Sequence, residues 1–149
     1  MALASGTCVA VLRQCPNQRL YMKNDERLGE KGRSEDDLIA WTWKHFEMYP
    51  NQPEWLLRMP MTKAVRLAFD LVDIKVQEEK NKIGSVWKDQ LDTIDHFTVL
   101  GRSKRGWTTW TIASVDKRVK AAIPIVLDSV KLPEARVSLL EPNLVYAYI

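Results

Sequence analysis

Apolar and polar positions fall in blocks along the chain. Cys8-Val9-Ala10-Val11-Leu12 is a short apolar run, and residues 7–13 predict a buried strand. A polar, turn-rich loop follows over residues 16–33, with Asn17, Asn24, Asp25, Gly29 and Gly32. Ser34-Glu35-Asp36-Asp37 then opens a helix. Ser34 is a capping residue, Asp37 holds the capping-box position, and the three carboxylates complement the positive end of the helix dipole. Leu38, Ile39, Thr42, Trp43 and Phe46 share one helical face, and Tyr49-Pro50-Asn51-Gln52-Pro53 stops it. Pro60 marks the next start. Met61, Val65, Ala68, Phe69, Val72 and Val76 repeat at helical spacing and predict a helix over residues 61–79.

Residues 83–95 read as a short helix or a loop. His96-Phe97-Thr98-Val99-Leu100 is a β-rich run ending at Gly101. A helix is expected over residues 104–115, with Trp107, Trp110, Thr111, Ser114 and Val115 on one core-packing face. Asp116-Lys117-Arg118 is a turn. Residues 119–127 predict a strand, with Pro124 near its end or at an irregularity. Leu144-Val145-Tyr146-Ala147-Tyr148-Ile149 is a further strand-like run. Strands alternating with helices predict an α/β fold with a mostly parallel sheet and flanking helices. No internal repeat or linker divides the chain.

Composition narrows the class. The chain has 149 residues, of which 46% are hydrophobic and 28% charged, an ordinary globular balance for one domain. No apolar run reaches the roughly 18 residues of a membrane span. Met1-Ala2-Leu3-Ala4-Ser5-Gly6-Thr7 lacks the basic start and apolar run of a secretory signal. Cys8 and Cys15, on one extended segment, would lie roughly 23 Å apart at about 3.3 Å per residue. A disulfide needs about 4.4–6.8 Å, so two buried or semi-buried thiols are expected. The net charge of +3 is too small to indicate a nucleic-acid partner.

One constellation carries chemistry: Phe97-Thr98-Val99-Leu100-Gly101-Arg102-Ser103-Lys104-Arg105-Gly106-Trp107. It places a serine between a strand and a helix, the setting of the α/β-hydrolase nucleophile elbow, G-x-S-x-G. Such a turn needs little side chain beside the serine. It exposes the hydroxyl at a helix N-terminus, where the backbone N–H of the next residue, Lys104, can stabilise an oxyanion. The pattern departs at Arg105, because the glycine comes one position later, at Gly106. The plainer reading makes Ser103 a helix N-cap.

Gly101-Arg102-Ser103-Lys104-Arg105-Gly106-Trp107-Thr108-Thr109-Trp110, with Val115-Asp116-Lys117-Arg118-Val119-Lys120-Ala121 and Pro124-Ile125-Val126-Leu127-Asp128, resembles the PhoPQ-activated pathogenicity-related protein family, which includes the autocrine proliferation repressor proteins. Val9 to Gln14 with Pro16-Asn17-Gln18, Glu35-Asp36 with Ala40-Trp41-Thr42-Trp43, and Arg58-Met59-Pro60-Met61-Thr62-Lys63-Ala64 extend the resemblance over nearly the whole chain. It implies an α/β-hydrolase-like fold with an elbow at Ser103. It also implies an extracellular, secreted protein that regulates growth or binds a protein receptor.

The alternative is a serine hydrolase of esterase or peptidase type acting on a small ester or peptide. Such an enzyme follows its serine with an acid and then a histidine. His45 and His96 both precede Ser103, so the base is missing from this chain. Asp128 is a candidate acid, although a turn or cap aspartate is the plainer reading. No cofactor or metal is expected. Glu35, Asp36 and Asp37 are explained by their helix start. Arg102, Lys104, Arg105, Lys117, Arg118 and Lys120 with Trp107 and Trp110 suggest nucleic acid, but the tryptophan spacing favours core packing and Asp116 interrupts the charge. Residues 1–149 are expected to be the central part of a single hydrolase-like domain, truncated at both ends. On its own the chain is expected to be poorly stable or to aggregate.

Overall fold

The computed structural model describes residues 8–16, 18–23, 25, 31–82 and 94–126. Two compact units divide the chain, Met1–Thr93 and Ile94–Ile149. The described elements make a small α/β structure of three helices and a two-stranded parallel sheet.

The first unit is built on two helices. Helix α1 spans Glu35–Met48, and its buried residues are Leu38 and Thr42, on the expected face. Ser34 sits at the N-cap in an extended conformation but makes no side-chain capping bond. The Gln18 side chain accepts from the Glu35 N–H instead, at 3.1 Å. The loop therefore caps the helix from outside, which a local capping box cannot foresee. A 3-10 turn over Pro53–Trp55 leads into helix α2, Arg58–Lys82. This helix starts three residues before the predicted boundary, with Pro60 inside its first turn, where a missing N–H costs nothing. Cys15, Leu38, Leu57 and Met61 form the core, with Leu20, Met22, Ile39 and Ala64 packed against it.

The loop before α1 is pinned by one antiparallel bridge, Leu20 to Arg33. Gly32 beside it has φ +67, in the left-handed region that favours glycine. Arg33 donates two bonds to the Asp25 carboxylate, at 2.5 and 2.6 Å, and lies over the Trp41 ring.

Two further expectations fail in this unit. Residues 8–13 form no strand; the segment is irregular, and Val11 is 76% exposed. An apolar run becomes a strand only where a neighbouring backbone supplies its ladder bonds. Cys8 is accordingly exposed rather than buried, while Cys15 is buried, and both thiols are free.

The described residues of the second unit, 94–126, form a β-α-β unit. Strand β1 spans Phe97–Arg102, helix α3 Lys104–Val115 and strand β2 Val119–Ile125. The strands pair in parallel, with Thr98 opposite Ala121, Leu100 opposite Ile123 and Arg102 opposite Ile125. Pro124 lies one residue from the end of β2, opposite Gly101. Helix α3 packs on both strands. The face it buries differs from the expected one. Gly106, Thr108, Thr109 and Ile112 are buried, whereas Trp110 and Val115 are exposed. Small residues let the helix approach the strand backbone closely, and Trp110 lies on the exposed side instead, with Trp107 half-buried. Asp116 closes the connection as a turn residue, accepting from the Arg118 backbone N–H at 3.0 Å and from its guanidinium at 2.8 Å.

The segment 83–93, Leu127 and Asp128, and the strand-like run 144–149 lie outside the described residues. Among the described residues no helix is long and apolar enough to cross a membrane.

Candidate functional site at the Ser103 turn

Ser103 stands alone between the last residue of β1 and the first of α3. Its backbone has φ 55 and ψ −122. For a residue other than glycine this is a sparsely populated conformation that costs about 1–3 kcal/mol and persists only where the surroundings impose it. The surroundings are identifiable. The Ser103 N–H donates to the Ile125 carbonyl at 2.8 Å, which ties the turn to the end of β2. The Ser103 carbonyl accepts from Gly106 N–H at 2.8 Å and Trp107 N–H at 3.3 Å, which starts the helix.

This conformation weighs against the capping reading. An N-cap residue is normally extended, with its side-chain oxygen bonded to the helix's first N–H groups. Ser103 is not extended, and its side chain makes no capping bond. The hydroxyl is therefore not consumed by the helix start. Lys104 opens α3, so its N–H belongs to the first turn, where the helix ladder supplies no acceptor.

Gly101 explains why the strand can turn so sharply. A Cβ built on it would meet the Arg105 backbone carbonyl and lie 2.6 Å from the Thr109 hydroxyl oxygen. Thr109 in turn donates that hydroxyl to the Arg105 carbonyl at 2.9 Å. The first turn of α3 thus sits directly on the strand backbone two residues before the serine. The glycine required by contact is the one preceding Ser103. Arg105 occupies the position where the hydrolase pattern has its second glycine and is half-buried, and Gly106 beside it is buried.

Two features escaped sequence reasoning. Val126 follows β2 with φ 56, a left-handed value for a β-branched residue, next to the Ile125 carbonyl that holds Ser103. No sequence signal marks it. The other lies in the first unit. Trp41 and His45 stack on α1, Tyr49 just past its end is tilted against His45 with ring centroids 4.9 Å apart, and Trp55 meets His45 with ring centroids 4.1 Å apart. The four-residue spacing was visible; the contribution of Trp55 was not. His45 is thus a half-buried member of an aromatic cluster. His96 lies just before β1 and is exposed, at the opposite end of that strand from Ser103. Asp128 lies outside the described residues.

The comparisons with known proteins agree with one another. The chain is 42% identical over 127 residues to autocrine proliferation repressor protein A of Dictyostelium discoideum, a match covering 85% of this chain and 23% of that protein. It thus matches about a quarter of the relative's length. No solved structure matches. The family model of the PhoPQ-activated pathogenicity-related protein matches residues 1–140. With the strand, turn and helix that carry its most distinctive string in view, the chain belongs to the PhoPQ-activated pathogenicity-related protein family.

Proposed function

We propose that the chain is part of a secreted, growth-regulating protein of the autocrine proliferation repressor type, carried on an α/β-hydrolase-like scaffold. The observation that supports it is the 42% identity, which runs through both units of the chain. In this reading residues 1–149 are the middle of one hydrolase-like domain, and a protein receptor is the partner. The test is a growth assay with the full-length protein added to the medium. Slower proliferation is expected, and an unchanged growth curve with folded protein rejects the reading.

A specific observation favours a second reading, a serine hydrolase of esterase or peptidase type. The strained Ser103 conformation, between a parallel strand and a helix packed on Gly101, supports a nucleophile elbow. In the reaction Ser103 Oγ bonds to the carbonyl carbon and its proton passes to a base. The leaving group then departs with that proton. The Lys104 N–H supplies part of the oxyanion hole, and Asp128 is the candidate acid that orients the base. No histidine follows Ser103 in these 149 residues, and His96 stands at the wrong end of β1, so the reading needs a histidine from elsewhere in the full-length protein. A fluorophosphonate probe with peptide mapping separates the two readings. Labelling at Ser103 supports catalysis. A Ser103→Ala protein that keeps full growth-regulating activity supports signalling without it.

A further inference from the structure

The strain at Ser103 has a counterpart on the neighbouring strand. Among the described residues three residues other than glycine have a positive φ, Gln14, Ser103 and Val126, and two of them meet at one edge of the sheet. Arg102 and Ile125 are the last register partners of β1 and β2. Ser103 is the next residue on one strand, and Val126 is the next on the other. Both strands therefore end on the same rung, through residues with φ 55 and φ 56. This edge is formed by the carboxyl ends of parallel strands, the side on which open α/β sheets bind their ligands.

One hydrogen bond joins the two turns. The Ser103 N–H donates to the Ile125 carbonyl at 2.8 Å. That carbonyl belongs to the peptide unit that ends at the Val126 nitrogen, and a peptide unit is planar. The φ of Val126 is thus the first torsion beyond the plane that holds Ser103. With the chain on either side fixed, a change in that torsion swings the plane and takes the carbonyl off the Ser103 N–H.

The residue type matters here. For a β-branched residue a left-handed φ is a genuine outlier, whereas glycine takes either sign readily. An outlier of this kind persists only where its surroundings impose it, and such outliers cluster at functional sites. Glycine would make the same turn with less strain but would free the backbone, which valine restricts. Valine therefore gives this rung stiffness at the expense of strain.

We propose that Val126 is a positioning residue for Ser103. Its stiff left-handed backbone keeps the Ile125 carbonyl on the Ser103 N–H, and that bond holds the serine in its strained conformation with the hydroxyl set for attack. The inference rests on the reading of Ser103 as a nucleophile. Val126 itself touches no reacting atom.

The test uses the full-length protein and a fluorophosphonate, with the rate of labelling at Ser103 followed as the probe concentration rises. Val126→Gly should lower the saturating rate roughly tenfold, within the loss that a misplacement of about 1 Å brings. The concentration at half-saturation should stay the same, because no binding group is altered. The melting temperature should stay close to that of the unaltered protein, since relief of strain offsets the side chain removed. Val126→Ile, equally branched, should keep the full rate. A slower reaction without lost stability, restored by isoleucine, is not what a merely structural valine would give. If Val126→Gly does not fold, Val126→Asn takes its place, because asparagine also accepts left-handed backbone. Hydrogen exchange on the unaltered protein needs no variant. The Ser103 amide should be protected, and exchange at the rate of an open chain overturns the inference. If the glycine variant labels as fast as the unaltered protein, or isoleucine is as slow as glycine, the positioning inference fails and the nucleophile reading stands. If the unaltered protein does not label at Ser103, the nucleophile reading fails and takes this inference with it.

Discussion

At the scale of single residues, the Ser103 turn depends on two conformational demands that can be separated by mutation. Gly101 has no room for a side chain, since a Cβ would collide with the Arg105 carbonyl and the Thr109 hydroxyl. Gly101→Ala should cost about 1–3 kcal/mol or more, as overpacking does, and urea denaturation measures it. Ser103 makes the other demand, a strained φ of 55. Ser103→Gly should therefore raise stability by about 1 kcal/mol, while Ser103→Ala, equally strained, should leave it nearly unchanged. A destabilised Ser103→Gly protein would show that the strain is absent from the native state. Arg58 makes a different demand. Burial lowers its guanidinium to about 10, against the raising fields of Glu35 and Asp36. The folded value lies below the unfolded one, so folding disfavours the charged form. That penalty is complete at neutral pH and lifts only as pH rises above about 10. Arg58→Met should leave stability at pH 7 unchanged or raise it by up to about 2 kcal/mol. A larger loss would mean that Glu35 and Asp36 need the cation.

At the scale of elements, all three helices were legible because a period near 3.6 residues survives whatever the helix packs against. Leu38 and Thr42 on α1, and Met61 and Phe69 on α2, lie on the faces their spacing marks. Helix α3 has the expected bounds, but its inner face was misread. The helical spacing of the tryptophans suggested burial, whereas close approach to the sheet selected Gly106, Thr108, Thr109 and Ile112. The two faces should respond differently. Ile112→Ala removes a fully buried side chain and should cost about 2–5 kcal/mol. Trp110→Gln, at a position 44% exposed, should cost less than about 1 kcal/mol. Equal losses in thermal or urea unfolding would place Trp110 inside after all. The segment before Cys15 gives the complementary lesson. Its apolar run looked like a strand, yet no described strand pairs with it.

At the scale of the whole molecule, apolar surface remains uncovered on both units. Leu67, Leu71 and Ile74 are exposed on α2, and Leu100, Ile123 and Ile125 on the sheet face away from α3. The two strands among the described residues make a marginal sheet without further cover. The 149-residue chain should therefore associate at micromolar concentration, and light scattering across a dilution series checks this. A monomer with a sharp two-state melt would contradict it. The family was readable from the residue string around Ser103, and helix periods and strand composition were enough for the α/β class, because both are local properties. The contact that makes Gly101 indispensable, the bond from Ser103 to Ile125 and the choice of inner face on α3 are not local. They arise where a helix meets two strands brought side by side, and only the packed chain sets those distances.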